Sequence, residues 1–329
     1  MKRNAWVANI REIALLAVII LLSVFVNFRT GGSFLTFENI GDMLTETAVL
    51  AILSVGMMMV LITGGIDLSA GAVMALAGMT ATTFLKYNPG LSPLLVVLIA
   101  VAVGAACGLI NGFLVSRLKI FPIIATLGMM NLFRGSTYLV SNGGWILQKD
   151  MTPGFMGIAT GSVLGINNMV LIALLIYVAA FYYLGYTRKG RQIYAVGNSE
   201  ESARVSGISV KNVLFRVYVI MGALGGLAGV LYVCKYAAAQ GETATGYEMN
   251  IIAACVLGGV SISGGTGKVQ GVLLGALLLG LLNNALPLIN ISPFWQQAIK
   301  GLIILISIVV NALIQNNVTK KALERRVLA

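Results

Sequence analysis

Residues Tyr186–Val213 read YTRKGRQIYAVGNSEESARVSGISVKNV, and long apolar stretches flank the run on both sides. Away from the termini no other segment is as polar. In a chain built of apolar spans, such a run is the largest loop that water can reach. It is therefore where a soluble partner can push.

The local pattern within the run is specific. Asn198 is placed to cap a helix whose third residue is Glu201, a variant of the capping box. Glu200 and Glu201 would lie at the positive end of that helix, and Arg204 follows Glu200 by four residues. Gly207 would stop it. The segment Asn198, Glu200, Glu201, Ser202, Ala203, Arg204 and Gly207 thus reads as a helix of about two turns, too short to stand alone. It needs a partner surface. Ala203 and Val205 would supply small apolar contacts, and the charges would set register.

Composition says what surrounds the run. Hydrophobic residues make up 58% of the 329 residues and charged ones 10%, with a mean hydropathy of +0.92. Soluble domains run at about 45–50% apolar and about 25% charged. The fold class is an all-α integral membrane protein. At about 20 apolar residues per crossing, about ten transmembrane helices are expected: 13–28, 48–63, 68–85, 94–115, 122–140, 168–185, 214–234, 249–263, 269–286 and 294–314. The first follows Lys2, Arg3 and Arg11 without a small-residue cleavage site and reads as a retained anchor.

Orientation follows from Lys and Arg. With the N-terminus cytoplasmic, all but Arg29, Lys86, Arg134, Lys149, Lys235 and Lys300 of the 22 basic residues fall on the inner side. Both termini and the polar run at 186–213 are then cytoplasmic. The net charge of +11 reflects this topology, so nucleic acid is not expected as a partner. Cys107, Cys234 and Cys255 all fall inside apolar spans, and histidine is absent. Neither disulfides nor a metal site is expected.

Two short motifs echo each other. Gly64–Gly71 reads GGIDLSAG and Gly258–Gly265 reads GGVSISGG, and each joins one apolar span to the next. Downstream, GAACGLIN (104–111) is echoed by GALLLGLLN (275–283) at unequal spacing. This suggests a weak internal duplication within one transmembrane domain, 1–329, with halves near 1–165 and 166–329. Glycines at four-residue spacing (Gly104, Gly108 and Gly112; Gly222 and Gly226; Gly225 and Gly229; Gly271 and Gly275) point to close helix packing.

Few polar groups sit in the spans. Asp67, at the first glycine joint, is placed to cap the helix that starts near Leu68 or to act in a gate. Asn111, Asn131, Asn283 and Asn284 either bridge helices or line a wet path. Arg134 either snorkels outward or meets a neighbour's carbonyl or acid. Glu248 and Asn250 open the eighth span at its outer end, as a solvated helix start or a contact for an outer partner. No GxSxG, HExxH or CxxC occurs. GGTGKVQG (264–271) fails as a phosphate loop because Ile262 and Val269 occupy two of its required positions. No catalytic residue is assigned, and nucleotide hydrolysis is not expected of this chain.

ITGGIDLSAG, the GYEMN that precedes IIAACVLGGVSISGGTG, and GRQIYAVGNSEESARVSGISV together resemble the permease subunits of bacterial ABC importers for monosaccharides, the ribose and autoinducer-2 types above all. The likeness runs from about Leu44 to Ile314. Permeases for branched-chain amino acids share the general plan and stand as the alternative. An ion-coupled secondary transporter is a second alternative. The resemblance implies the ABC importer permease fold in the bacterial cytoplasmic (inner) membrane, and a dimeric core with an identical or sister permease. It also implies an extracytoplasmic sugar-binding protein and separate ABC ATPase subunits that carry the ATP and Mg. It places the ATPase-coupling helix at Glu200–Gly207. The chain departs from many relatives at Ala70 and Ala72, where Val and Ser are common, and at Asn250, where many carry an acid.

Overall fold

The computed structural model describes residues 3–299 together with 301–303, 305 and 309. Twelve helices follow one another along the chain: α1 (Arg3–Arg29), α2 (Phe37–Ile62), α3 (Ala70–Tyr87), α4 (Pro93–Ser116), α5 (Pro122–Ser141), α6 (Pro153–Thr160), α7 (Asn168–Tyr186), α8 (Arg188–Asn198), α9 (Glu200–Val205), α10 (Val210–Tyr236), α11 (Tyr247–Leu257) and α12 (Val269–Leu288). Residues 293–299 are also helical. Four two-residue strands pair antiparallel in loops: β1 (Ile146–Leu147) with β4 (Ala238–Ala239), and β2 (Ser162–Val163) with β3 (Ile166–Asn167).

Among the described residues, six helices are long and apolar enough to cross a membrane: α1 from Arg11, α2, α4, α7, α10 and α12. Ten were expected. α3 and α5 are long enough, but Thr, Ser, Asn and Arg dilute their apolar character. The expected span 249–263 is instead the short helix α11 followed by a glycine loop. Ten of the 21 residues of the expected span 294–314 lie outside the described residues.

α2 is the axis of the bundle. Every residue from Thr47 to Ile62 is buried, which marks a helix that is hydrophobic all round and wrapped by others. It packs against α7, α10, α11 and α12. Its most apolar window is 89% buried, against 28% for α4 and α7. Those two helices expose Leu98, Ile110, Leu174 and Leu175, the side chains a lipid tail would cover.

α4 and α10 form the tightest pair. A methyl group on Gly104 would strike Gly222 O and Gly226, one on Gly108 would strike Tyr218 O, and Gly112 lies against Phe215. The four-residue spacing puts all three glycines on one face of α4. Their lack of side chains is what lets the backbones touch where lipid gives no hydrophobic drive.

Two faces of the bundle can be told apart. The near face carries α8 and α9. The far face carries the β1–β4 pair and the end of α3, where Lys86 Nζ lies 3.4 Å from Asp150 Oδ1. The Leu147 N–H and then Lys86 hold the half-buried Asp150 carboxyl below its ordinary range.

Candidate functional site

Two helices begin halfway through the bundle. Val73, in the first turn of α3, packs against Gly225 near the middle of α10. α3 therefore starts at mid-depth. α11 starts at the same level, because Gly71 has no room for a side chain. A methyl group there would lie 2.6 Å from both Ala244 O and Glu248 Oε2. Eleven residues at 1.5 Å each give α11 a length of about 16 Å, roughly half the hydrocarbon core. Half-helix starts meeting at mid-depth are how many transporters build a binding centre, since the free N–H groups there point at the cargo.

The sequence reading put Glu248 at the outer end of a span; here it is half-buried in the first turn of α11. Its carboxylate rests over the first turn of α3, where free N–H groups and the helix dipole favour negative charge. The reason is the preceding segment, 237–246, which descends from the far face into the bundle. β4 pairs with β1 at the far end, Gly241 packs on the Tyr138 ring, and Arg134 Nη1 donates to Gly241 O (2.8 Å) and Thr243 O (2.6 Å). Arg134 thus meets carbonyls, one of the two alternatives the sequence left open. Asn250 follows Glu248 by two residues, so it lies some 200° round the helix. The structure does not bring the two together.

A second polar centre sits at the N-terminus of α3. Asp67 Oδ1 accepts from the Ser69 N–H (2.9 Å) and the Ser69 hydroxyl (2.6 Å). Ser69 Oγ accepts in turn from Asn111 Nδ2 (2.8 Å). All three residues are buried. Asp67 therefore caps the turn before α3 and not the helix itself, whose N-cap is Ser69. Thr126 Oγ1 on α5 accepts from the Leu68 N–H at 3.1 Å. The other amides stand apart. Asn131 is exposed and donates to its own helix at Leu127 O, and Asn283 is exposed. Asn284 forms a reciprocal amide pair with Asn39 of α2 (3.0 and 3.1 Å) at the far face.

The two echoed glycine joints touch each other at the near face, and the end of α8 lies on both. Gly265 N–H donates to Ile62 O at 2.8 Å. A methyl group on Gly264 would come within 3.1 Å of Gly64 N, and one on Gly197 of α8 would strike Ile62 O. The Tyr194 hydroxyl of α8 donates to Gly267 O at 3.0 Å. From the other side α1 holds the second joint, with Lys268 Nζ 2.7 Å from Glu12 Oε1 and Arg11 donating to Val256 O at 2.8 Å.

The helix expected near Asn198 is α9, with one correction. Its N-cap is Ser199, whose Oγ accepts from the Ser202 N–H at 3.1 Å. Asn198 ends α8 and donates to Tyr194 O. A one-carbon hydroxyl side chain at the break reaches the N–H three residues on, and so takes the cap. At the other end Gly207 (φ +78°) lets its N–H reach Arg204 O and the Ile208 N–H reach Ala203 O. Ala203 turns inward against its own chain, while Glu200, Glu201, Ser202, Arg204 and Val205 face out. The expected outward apolar contact is thus Val205 alone, because a six-residue helix must rest on something.

Between α9 and the first joint lies a cavity of about 610 Å³, lined among others by Gly64, Ser116, Arg204 and Tyr218. The buried Ser116 Oγ and Tyr218 hydroxyl make no hydrogen bond among the described residues. Sequence reasoning did not single out Tyr194, Gly197, Ser199 or Tyr218. Tyr194, Gly197 and Ser199 lie within stretches it quoted. Tyr218 gave no signal. Among the described residues no group of three metal-ligating side chains occurs.

Residues 39–308 match the family model described as branched-chain amino acid transport system / permease component. The chain is 39% identical over 313 residues to the ribose import permease protein RbsC of Escherichia coli (strain K12), covering 94% of this chain and 95% of that protein. It is 34% identical over 282 residues to the D-allose transport system permease protein AlsC of the same strain, covering 85% of each. It is 32% identical over 307 residues to the autoinducer 2 import system permease protein LsrC of Enterobacter sp. (strain 638), covering 93% and 88%. No solved structure matches.

Proposed function

The chain belongs to the family of branched-chain amino acid transport system / permease components, and from that membership we propose that it is the transmembrane permease subunit of an ATP-driven importer that carries a monosaccharide. Its relatives are named for ribose, D-allose and autoinducer 2, which favours a sugar over a branched-chain amino acid. The working unit is one membrane domain in the inner membrane, with the near face cytoplasmic. It pairs with a second permease subunit, takes its cargo from an extracytoplasmic sugar-binding protein, and is driven by a separate ATPase that holds ATP and Mg.

One observation carries the reading: α8 rests on both glycine joints, through Gly197 on Ile62 O and Tyr194 on Gly267 O. Force applied to α9 by a soluble partner reaches the ends of α2 and α11 within a few residues. In this reading the outward-facing Glu200, Glu201, Ser202 and Arg204 dock the ATPase, with Asn198, Ala203 and Gly207 shaping the lever. Asp67, Ser69 and Asn111 then act at the gate between the mid-depth centre and the near-face cavity. Glu248 serves the interior of the path in place of the outer contact the sequence suggested.

The test is reconstitution with the ATPase and the binding protein in vesicles. The expected result is ATP-dependent accumulation of radiolabelled D-ribose or D-allose that survives collapse of ion gradients by ionophores. Accumulation of leucine instead of either sugar, or sugar uptake abolished by the ionophores with ATP present, would overturn it.

A further inference from the structure

We infer that the permease itself holds a monosaccharide-binding site, in the pocket between the far end of α10 and the descending segment 237–246. This deepens the importer reading and rests on it. The pocket is about 360 Å³ and is lined by Tyr232, Tyr236, Gln240, Glu242, Thr243 and Tyr247, among others. That volume lies within the ~300–1,000 Å³ range of small-molecule sites.

Its walls divide into two chemistries. Three tyrosine rings form one wall. Tyr232 and Tyr236 have centroids 4.5 Å apart and tilted, and Tyr247 meets Tyr232 edge-on at 6.1 Å. The other wall carries an amide, a carboxylate and hydroxyls. Among the described residues the side chains of Gln240 and Glu242 make no hydrogen bond to the protein. Beside the pocket, Lys235 Nζ lies 3.7 Å from Glu46 Oε1 and 5.2 Å from the Tyr236 centroid. A sugar ring has apolar C–H faces and a rim of hydroxyls. The tyrosines match the first and the polar wall matches the second.

Lipid does not suit this pocket. An amide and a carboxylate would be unsatisfied against hydrocarbon. An interfacial aromatic belt does not explain it either, because Tyr247 stands at mid-depth with the start of α11. The floor of the pocket includes Ala244, whose carbonyl lies against Gly71. A sugar bound there would stand directly above the two half-helix starts. Arg134 takes on a definite part in this arrangement as a positioning residue: it fixes the polar wall by holding the Gly241 and Thr243 carbonyls.

The experiment uses the full assembly of permease, ATPase and binding protein in proteoliposomes, with radiolabelled D-ribose as probe. Equilibrium binding of the same probe to the permease alone in nanodiscs runs beside it. Tyr236→Ala and Gln240→Ala are each expected to lower both maximal uptake and direct binding about three- to tenfold. Gly185→Ala, whose added methyl group meets nothing within 4 Å, should stay within twofold of the parent. ATP hydrolysis stimulated by the loaded binding protein should persist in all three. Absence of saturable ribose binding to the permease, or uptake within twofold of the parent in both alanine variants, would overturn the proposal. So would loss of stimulated hydrolysis together with uptake in both, which would make these positions structural. Failure of the importer reading looks different: the unaltered assembly would carry no sugar at all, while ribose binding to the permease is still read on its own.

Discussion

Gly197→Ala puts one methyl group where the structure has least room for it. The new Cβ would lie on the carbonyl oxygen of Ile62 and 2.8 Å from Gly265 N. Both atoms belong to the hydrogen bond that joins the two glycine joints. The chain must either push α8 away from the joints or part Ile62 from Gly265. Overpacking of one methyl group costs about 1–3 kcal/mol, and losing the bond adds about 1 kcal/mol. If about 1–3 kcal/mol of that appears as lost coupling between α9 and the joints, transport per ATP falls about 5- to 150-fold. The assay measures ribose uptake and ATP hydrolysis in the same vesicles. Uptake should fall while hydrolysis continues. Gly185→Ala is the control, because a methyl group on that residue of α7 meets nothing within 4 Å. Uptake per ATP within twofold of the parent for Gly197→Ala would refute the idea that α8 transmits force through this contact.

Three further outcomes follow from the same geometry. Gly104→Leu should separate α4 from α10 and abolish folded protein, read as loss of a monodisperse peak in detergent, whereas Gly128→Leu, with open space around it, should leave the peak intact. Arg134→Met should free the descending segment at a cost of about 3–6 kcal/mol for two charge-assisted bonds, seen as faster hydrogen exchange at 240–246 with the α2 core unchanged. Ser199→Ala should remove the α9 cap at about 0.5–2 kcal/mol, lowering stimulated ATP hydrolysis without changing the melting temperature of the membrane bundle by more than a few degrees.

The sequence made the membrane class and the short helix of the polar run legible for clear physical reasons. Apolar runs have the length of a bilayer, and Gly207 after a charged turn stops a short helix. The echo of GGIDLSAG and GGVSISGG marked the two joints, which lie against each other through Gly265 and Ile62. What the sequence hid was depth. Glu248 sits in an apolar run that looks like a span entered from outside, and nothing local says that 237–246 turns back into the bundle. Contacts far apart in sequence decide it: Arg134 with Gly241 and Thr243, Tyr138 with Gly241, and Gly71 with Ala244. Cap choice was hidden for a smaller reason. Asn198 and Ser199 are both good caps, and only the packing of α8 on the joints fixes where one helix ends and the next begins.

The central claim is that this chain does no work by itself and is moved through α9. The most direct measurement takes vesicles that hold the permease, its ATPase and the loaded binding protein, and compares the parent with a variant in which residues 200–205, EESARV, are scrambled. The account predicts that the variant keeps its fold but loses both stimulated ATP hydrolysis and ribose accumulation. Ribose accumulated at the parental rate by the scrambled variant, or against a gradient by the permease with no ATPase present, would contradict it.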